Sequence, residues 1–305
     1  MRMNKGIWYA LGAYAIWGLF PLYWKALGAV PPTQVVCHRI VWSVALLFTL
    51  LFVLRQWRLL LAAVRGPQTA RVMGAYLLAA VLIAVNWLLY IWAVNAGHIV
   101  EASLGYFINP LVNVLLGVVF LRERLRPWQW LPIACAAAGV LCVTIAFGAP
   151  PWIALALAVT FGLYGLIKKV APLGAVHGLA LETALLFLPA LAYLLWCEHT
   201  GSGAITQGGT LRSVLLAGAG VVTTTPLLLF AAAARRIPLT LLGVLQYISP
   251  TLQFLLGVLV FHEPFSGAQI WGFVLVWIGL LIFAVESYLA YRAQLATPAV
   301  HEHIV

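Results

Sequence analysis

Residues 104–126, LGYFINPLVNVLLGVVFLRERLR, return 140 residues later as VLQYISPTLQFLLGVLVFHEPFS at 244–266. With no gap, Ile108, Pro110, Leu115, Leu116, Gly117, Val118 and Glu123 fall on Ile248, Pro250, Leu255, Leu256, Gly257, Val258 and Glu263. Gln129, Gly139 and Leu141 carry the match onto Gln269, Gly279 and Leu281. A repeat of this length restricts the chain to folds made from two copies of one unit. Solvent decides what that unit is. Only 8% of the residues are charged, 64% are hydrophobic and the mean hydropathy is +1.04, whereas a soluble domain carries about 25% charged residues. The unit is therefore a set of bilayer-crossing helices, each needing about 20 largely apolar residues.

Ten crossings can be drawn, at 5–26, 34–54, 72–95, 100–121, 127–147, 151–169, 177–197, 211–233, 239–261 and 268–291. Spans 1–5 make a first module over 5–147 and spans 6–10 a second over 151–291; the tail 292–305 reads as disordered and cytoplasmic. The longest connector, 55–71, is partly amphipathic and suits the membrane surface, and 198–210 reads as a flexible Gly/Ser/Thr loop. Arg2 and Lys5 ahead of an apolar run resemble a signal peptide, but the run is long and aromatic and more spans follow, so it is read as a retained helix.

The net charge of +10 is distributed as single residues and pairs at the ends of apolar runs, which is a membrane-orientation pattern and not a nucleic-acid face. With the N-terminus inside, 14 of the 17 Lys and Arg residues lie on the cytoplasmic side, leaving only Lys25, Arg39 and Arg212 outside. Both termini are then cytoplasmic. Five spans per module is an odd number, so the second copy is threaded upside down. The expected fold class is an all-α membrane protein of ten transmembrane helices in an inverted 5+5 repeat, with a polar site near the midplane between the halves.

Within that frame a few residues stand out. Pro110 and Pro250 sit inside spans 4 and 9, where each removes a backbone donor and deprives the carbonyl four residues earlier, of Tyr106 or Gln246, of its partner. Such a carbonyl must face protein or a watery cavity. Two helix kinks lining a cavity are expected, the alternative being packing kinks satisfied by neighbours. Tyr106, Asn109, Gln246 and Tyr247 beside the prolines are candidate cavity residues. Asn113, Gln253, Gly117 and Gly257 on the same stripe read as helix–helix glue.

The chain has no aspartate and seven glutamates, so an ionisable residue inside a span is conspicuous. Arg39 in span 2 and Glu182 in span 7 occupy related places in the two modules. Arg39 could meet an anionic group of a solute, or Glu101; Glu182 could meet a cationic group or carry a proton. The plainer readings are that Arg39 reaches the surface and that Glu182 pairs with Lys168 or Lys169. Glu123 and Glu263 read as helix-end contacts in both copies. Trp17, Asn86, Tyr90 and Tyr164 lie deep enough to wall a site for an amphipathic solute, and Thr223-Thr224-Thr225-Pro226 is a counterpart of the Asn86 region.

There is no HExxH, GxxxxGK[ST] or GxSxG pattern, no CxxC among the four cysteines, and no acidic ring or filter-like repeat. No catalytic residue, metal ligand or cofactor is expected, and the chain is not read as an enzyme. Histidines 301 and 303 beside Glu302 belong to the tail.

HRIVWS at 38–43, NWLLYIWAVN at 86–95, EASLGYFINPLVNVLLG at 101–117 and QYISPTLQFLLG at 246–257 closely resemble the RarD-type proteins of the EamA family, in the drug/metabolite transporter superfamily. The resemblance covers nearly the whole chain. It implies two EamA modules, a bacterial inner-membrane location and secondary transport of small organic metabolites or drugs, with export as the direction. RarD-type proteins carry a chloramphenicol-sensitivity label. The partners expected are a small-molecule solute, membrane lipid and candidate coupling protons, with no nucleic acid and the oligomeric state open. The competing readings are a non-transporting regulator or partner subunit that alters drug sensitivity indirectly, and an intramembrane enzyme, for which no nucleophile–base set is visible.

Overall fold

The computed structural model describes residues 4–65, 69–95, 99–147 and 152–260, with scattered positions between 267 and 286. Every regular element among them is helical: α1 (Lys5–Gly18), α2 (Phe20–Ala26), α3 (Pro32–Val53), α4 (Trp57–Arg65), α5 (Thr69–Asn95) and α6 (Ile99–Leu121). A single 3₁₀ turn, Pro127–Gln129, leads into α7 (Trp130–Phe147), followed by α8 (Trp152–Val170), α9 (Ala175–His199), α10 (Gly209–Ala234), α11 (Leu239–Gln246) and α12 (Ile248–Leu259). Five of these, α3, α5, α8, α9 and α10, are long and apolar enough to cross a bilayer, and shorter apolar helices run over Gly105–Leu121 and Pro127–Cys142. Most of span 10, Glu263 and the tail lie outside the described residues.

By contacts the chain forms two compact units that cut across the sequence repeat: Met1–Glu123 with Pro150–Pro264, and Arg124–Ala149 with Phe265–Val305. In the larger unit, helices of the first half pack on helices of the second. α6 lies on α8 and α11, α3 on α9 and α10, α1 on α10 and α12, and α5 on α8 and α9. Small residues permit these approaches. A Cβ on Gly243 would stand 2.7 Å from the carbonyl oxygen of Pro110, and one on Gly105 would stand 3.1 Å from that of Ala154. In the smaller unit, Arg126 caps the 3₁₀ turn through its backbone N–H to Gln129 Oε1 (2.9 Å), and its guanidinium meets Glu286 at 3.0 Å.

The helix ends follow local chemistry. The Asn4 side chain accepts from Gly6 N at 2.8 Å and starts α1. α3 stops in a Schellman turn: Gln56 N reaches Leu51 O, Arg55 N reaches Phe52 O, and Arg55 takes the left-handed position at φ 55°. The connector beyond it forms the short amphipathic helix α4. The 198–210 loop, expected to be flexible, is pinned instead. Gln34 donates to Ser202 O (2.8 Å) and accepts from Ala204 N (2.9 Å), while Glu198 accepts from Thr206 Oγ1 (2.6 Å).

The two repeat copies differ at their prolines. Pro110 sits within an unbroken α6, whereas the second copy breaks at Tyr247, three residues before Pro250, into α11 and α12. Span 1 is also interrupted, at Leu19, and the cause is Pro21 in the first turn of α2. Pro21 has no N–H to give the carbonyl of Trp17, and Gln253 Nε2 donates to that oxygen instead, at 3.2 Å.

Candidate functional site

These breaks meet at a cavity inside the larger unit. Its walls come from α1 (Tyr14, Trp17), α2 (Phe20, Trp24), α3 (Arg39), α5 (Asn86, Trp87, Tyr90), α6 (Tyr106, Asn109), α8 (Phe161), α11 (Gln246) and α12 (Ser249, Gln253). The centre of a water molecule has about 60 Å³ in which to move there. One water needs about 10–15 Å³ on that measure, so the space suits several waters or a polar headgroup.

Seven of the ten residues singled out from the sequence line this space: Trp17, Arg39, Asn86, Tyr90, Tyr106, Asn109 and Gln246. Tyr164, Glu182 and Tyr247 do not. Tyr247 is buried where α11 meets α12 and donates from its hydroxyl to Phe107 O at 3.2 Å, tying the break to α6 just ahead of Pro110. Glu182 and Tyr164 belong instead to an ionic cluster with Lys168.

Arg39 is the one charged side chain among the lining residues, and it is only 4% exposed. Its guanidinium lies between two indoles, 4.1 Å from the ring centre of Trp87 and 4.6 Å from that of Trp24. Nε donates to Thr223 Oγ1 of α10 at 2.9 Å. Among the described residues no carboxylate pairs with it; the side chain of Glu101 lies outside them. Sequence inspection pointed to Arg39 and to Thr223 separately, but nothing in the spacing tells that Trp24 and Trp87 would close on the guanidinium.

The amides around the cavity differ in how fully they are engaged. Asn86 Nδ2 donates to Leu157 O and Thr160 Oγ1, both at 2.9 Å, fastening α5 to α8. Asn113 Nδ2 donates to Gln246 Oε1 at 2.8 Å, joining equivalent stretches of the two repeats. Gln246 thereby uses its acceptor. Asn109, 2% exposed, keeps a buried Oδ1 with no partner, and a buried polar atom left so is costly unless something else meets it.

An aromatic cluster extends from the wall of this site. Trp17 packs on Phe161 and Phe230 with ring centres 5.6 Å apart in each pair, and Tyr164 stacks on Phe230 at 6.1 Å with 15° between planes. The Tyr164 hydroxyl then donates to Glu182 Oε2 at 3.3 Å, and Lys168 Nζ meets Glu182 Oε1 at 2.7 Å. Both partners of that ion pair are buried. Of the two adjacent lysines, Lys168 takes Glu182; Lys169 turns away to Ala234 O, Ile237 O and Glu123.

Glu123 makes the helix-end contact its sequence position suggested. Its carboxylate accepts from Leu239 N (2.7 Å) and Thr240 N (3.0 Å), the first two amides of α11. Arg122, at φ 54°, swings the chain back to allow this, and a Cβ on Gly117 would come within 2.8 Å of Glu123 Oε2. The repeated Gly and Glu of the two copies thus have a joint steric reason in the first.

The chain matches the EamA-like transporter family twice, over residues 4–145 and 150–285. It is 46% identical to Protein RarD of Streptomyces exfoliatus across 94% of this chain and 90% of that one. It is also 46% identical to YojE of Bacillus subtilis (strain 168), named an uncharacterized transporter, across 95% of this chain and 97% of that one. A solved crystal structure superposes with a TM-score of 0.68 at 22% identity, covering 93% of this chain and 99% of the other; that likeness concerns the fold alone.

Proposed function

The chain belongs to the EamA-like transporter family, and from that premise we propose that it carries a small organic solute across a bacterial inner membrane by alternating access. The two modules, 5–147 and 151–291, act as an inverted 5+5 pair around the cavity, with both termini cytoplasmic and net movement outward. The driving force is the solute's own gradient or exchange for protons. Family membership and the apolar helices already make this a multi-pass bacterial membrane protein.

The observation that carries the reading is the cavity itself. It lies within the larger unit, it draws walls from both repeats, and it holds a charged side chain with no acid partner among the described residues. A structural polar network would be closed on itself; this one leaves donors and an acceptor available. The Tyr164, Glu182 and Lys168 cluster, joined to the cavity wall through Phe161 by ring contacts, gives the proposed inner barrier a polar lock.

Purified protein in liposomes tests this. Flux of metabolites such as amino acids and aromatic acids, or of chloramphenicol, is measured with and without a pH gradient. Protein-dependent flux supports the reading. Conversion of the solute to a product, or no flux together with a stable co-purifying subunit, removes it.

A further inference from the structure

Transport alone leaves the solute's chemistry open, and the cavity restricts it. A guanidinium carries five N–H donors in one plane. In Arg39 the guanidinium carbon lies over the rings of Trp24 and Trp87, 4.6 and 4.1 Å from their centres, and Nε is spent on Thr223. Neither terminal nitrogen has an acceptor among the described residues. Ring contacts offset part of the cost of burying the charge, but they do not supply hydrogen-bond acceptors for the terminal N–H groups. The group that fits those donors has two coplanar oxygens and a negative charge.

We infer that the cavity takes an organic monoanion, a carboxylate or sulfonate carried on a flat apolar body, whose headgroup meets the free edge of Arg39. This rests on the transporter reading and narrows it. One positive charge and no acid among the described lining residues set the field of the site. In a low-dielectric space that field favours an anion over a neutral analogue and works against a cation. Trp17, Tyr90, Tyr106 and Phe161 supply ring faces and edges for the apolar body. The unpartnered Oδ1 of Asn109, 2% exposed, is a second point of attachment, for a donor on the solute. The Trp24–Arg39–Trp87 stack also holds the guanidinium in place before the solute arrives, which lowers the ordering cost of binding.

The test compares matched probes on the purified full-length protein by calorimetry. Benzoate, 3-phenylpropionate and benzenesulfonate are the anions, their amides the neutral analogues, and phenyltrimethylammonium the cation. At least one anion is expected to bind ten- to a hundredfold more tightly than its amide, with the cation weakest. Arg39→Gln is expected to erase that preference and Arg39→Lys to restore part of it, each checked by size-exclusion profile and melting temperature. The wild-type ranking needs no variant and decides the matter even if both variants misfold. Equal binding of anion and amide, tighter binding of the cation, or no binding of any anion overturns the inference. Liposome flux with the same probes separates the two readings: anion binding without flux leaves the inference and removes transport, and flux of cation or amide alone does the reverse.

Discussion

Arg39 and Glu182 are each the eighth residue of their helix, α3 and α9, the second helices of spans related by the repeat. Both are almost wholly buried. Their surroundings are opposite. Glu182 is answered by Lys168 at 2.7 Å and by the Tyr164 hydroxyl, so its charge is consumed within the protein. Arg39 is answered by two aromatic faces and one threonine hydroxyl, none of them charged. Two buried charges at the same place in their helices thus have different neighbours, one an oppositely charged side chain and the other, among the described residues, only uncharged groups. A buried charge is informative through what does and does not surround it.

The largest effect is expected at the closed pair. Lys168→Met leaves a buried carboxylate without its cation and should cost about 3–5 kcal/mol, read as a lowered melting temperature in detergent. Replacing both partners, Lys168→Met with Glu182→Leu, should recover most of the loss. A single substitution no worse than the double one would mean the pair is not closed.

At the other position, Arg39→Gln removes a charge and, of the described hydrogen-bond partners, strands only the neutral Thr223 hydroxyl. Stability should fall by about 1–2 kcal/mol, the worth of two ring contacts. Flux in liposomes should drop at least about tenfold, near 1.4 kcal/mol in binding terms. A stability loss as large as that of Lys168→Met would erase the contrast between the two sites.

Glu123 sharpens it further, as a carboxylate spent on a helix end. Glu123→Gln should cost about 1 kcal/mol in melting experiments and leave the preference for anions intact. The smallest effect is expected from Tyr247→Phe, which removes one hydroxyl bond across the helix break, about 0.5–1.5 kcal/mol; exchange of the Phe107, Ile108, Asn109 and Leu111 amides should rise with it.

Five of the ten spans drawn from the sequence correspond to helices long and apolar enough to cross a bilayer, and they were legible as long apolar runs set off by Pro and Gly. Span 2, read at 34–54, is Pro32–Val53, and span 7, read at 177–197, is Ala175–His199. The helix breaks were only half legible. Pro250 announced a disturbance but not its location at Tyr247, and Pro21 was passed over although its missing N–H leaves Trp17 O to Gln253. Partner choice was legible for Glu182 only as far as the Lys168–Lys169 pair. Successive helical residues point about 100° apart, so Lys168 and Lys169 go to different carboxylates, and only packing determines which one takes Glu182. The same holds for Trp24 and Trp87, which lie 15 residues before and 48 residues after Arg39 in the sequence. Polar residues near the prolines were found because they are costly in a membrane; aromatic walls such as Phe161 were hidden among many other apolar residues.

The most direct test of alternating access places one cysteine at Asn109, in a protein whose four native cysteines at 37, 135, 142 and 197 have been replaced. A membrane-impermeant thiol reagent is then applied to sealed vesicles of either orientation. The account predicts labelling from both faces, slowed in each case by a bound anion. Labelling from one face only, or from neither, would contradict it.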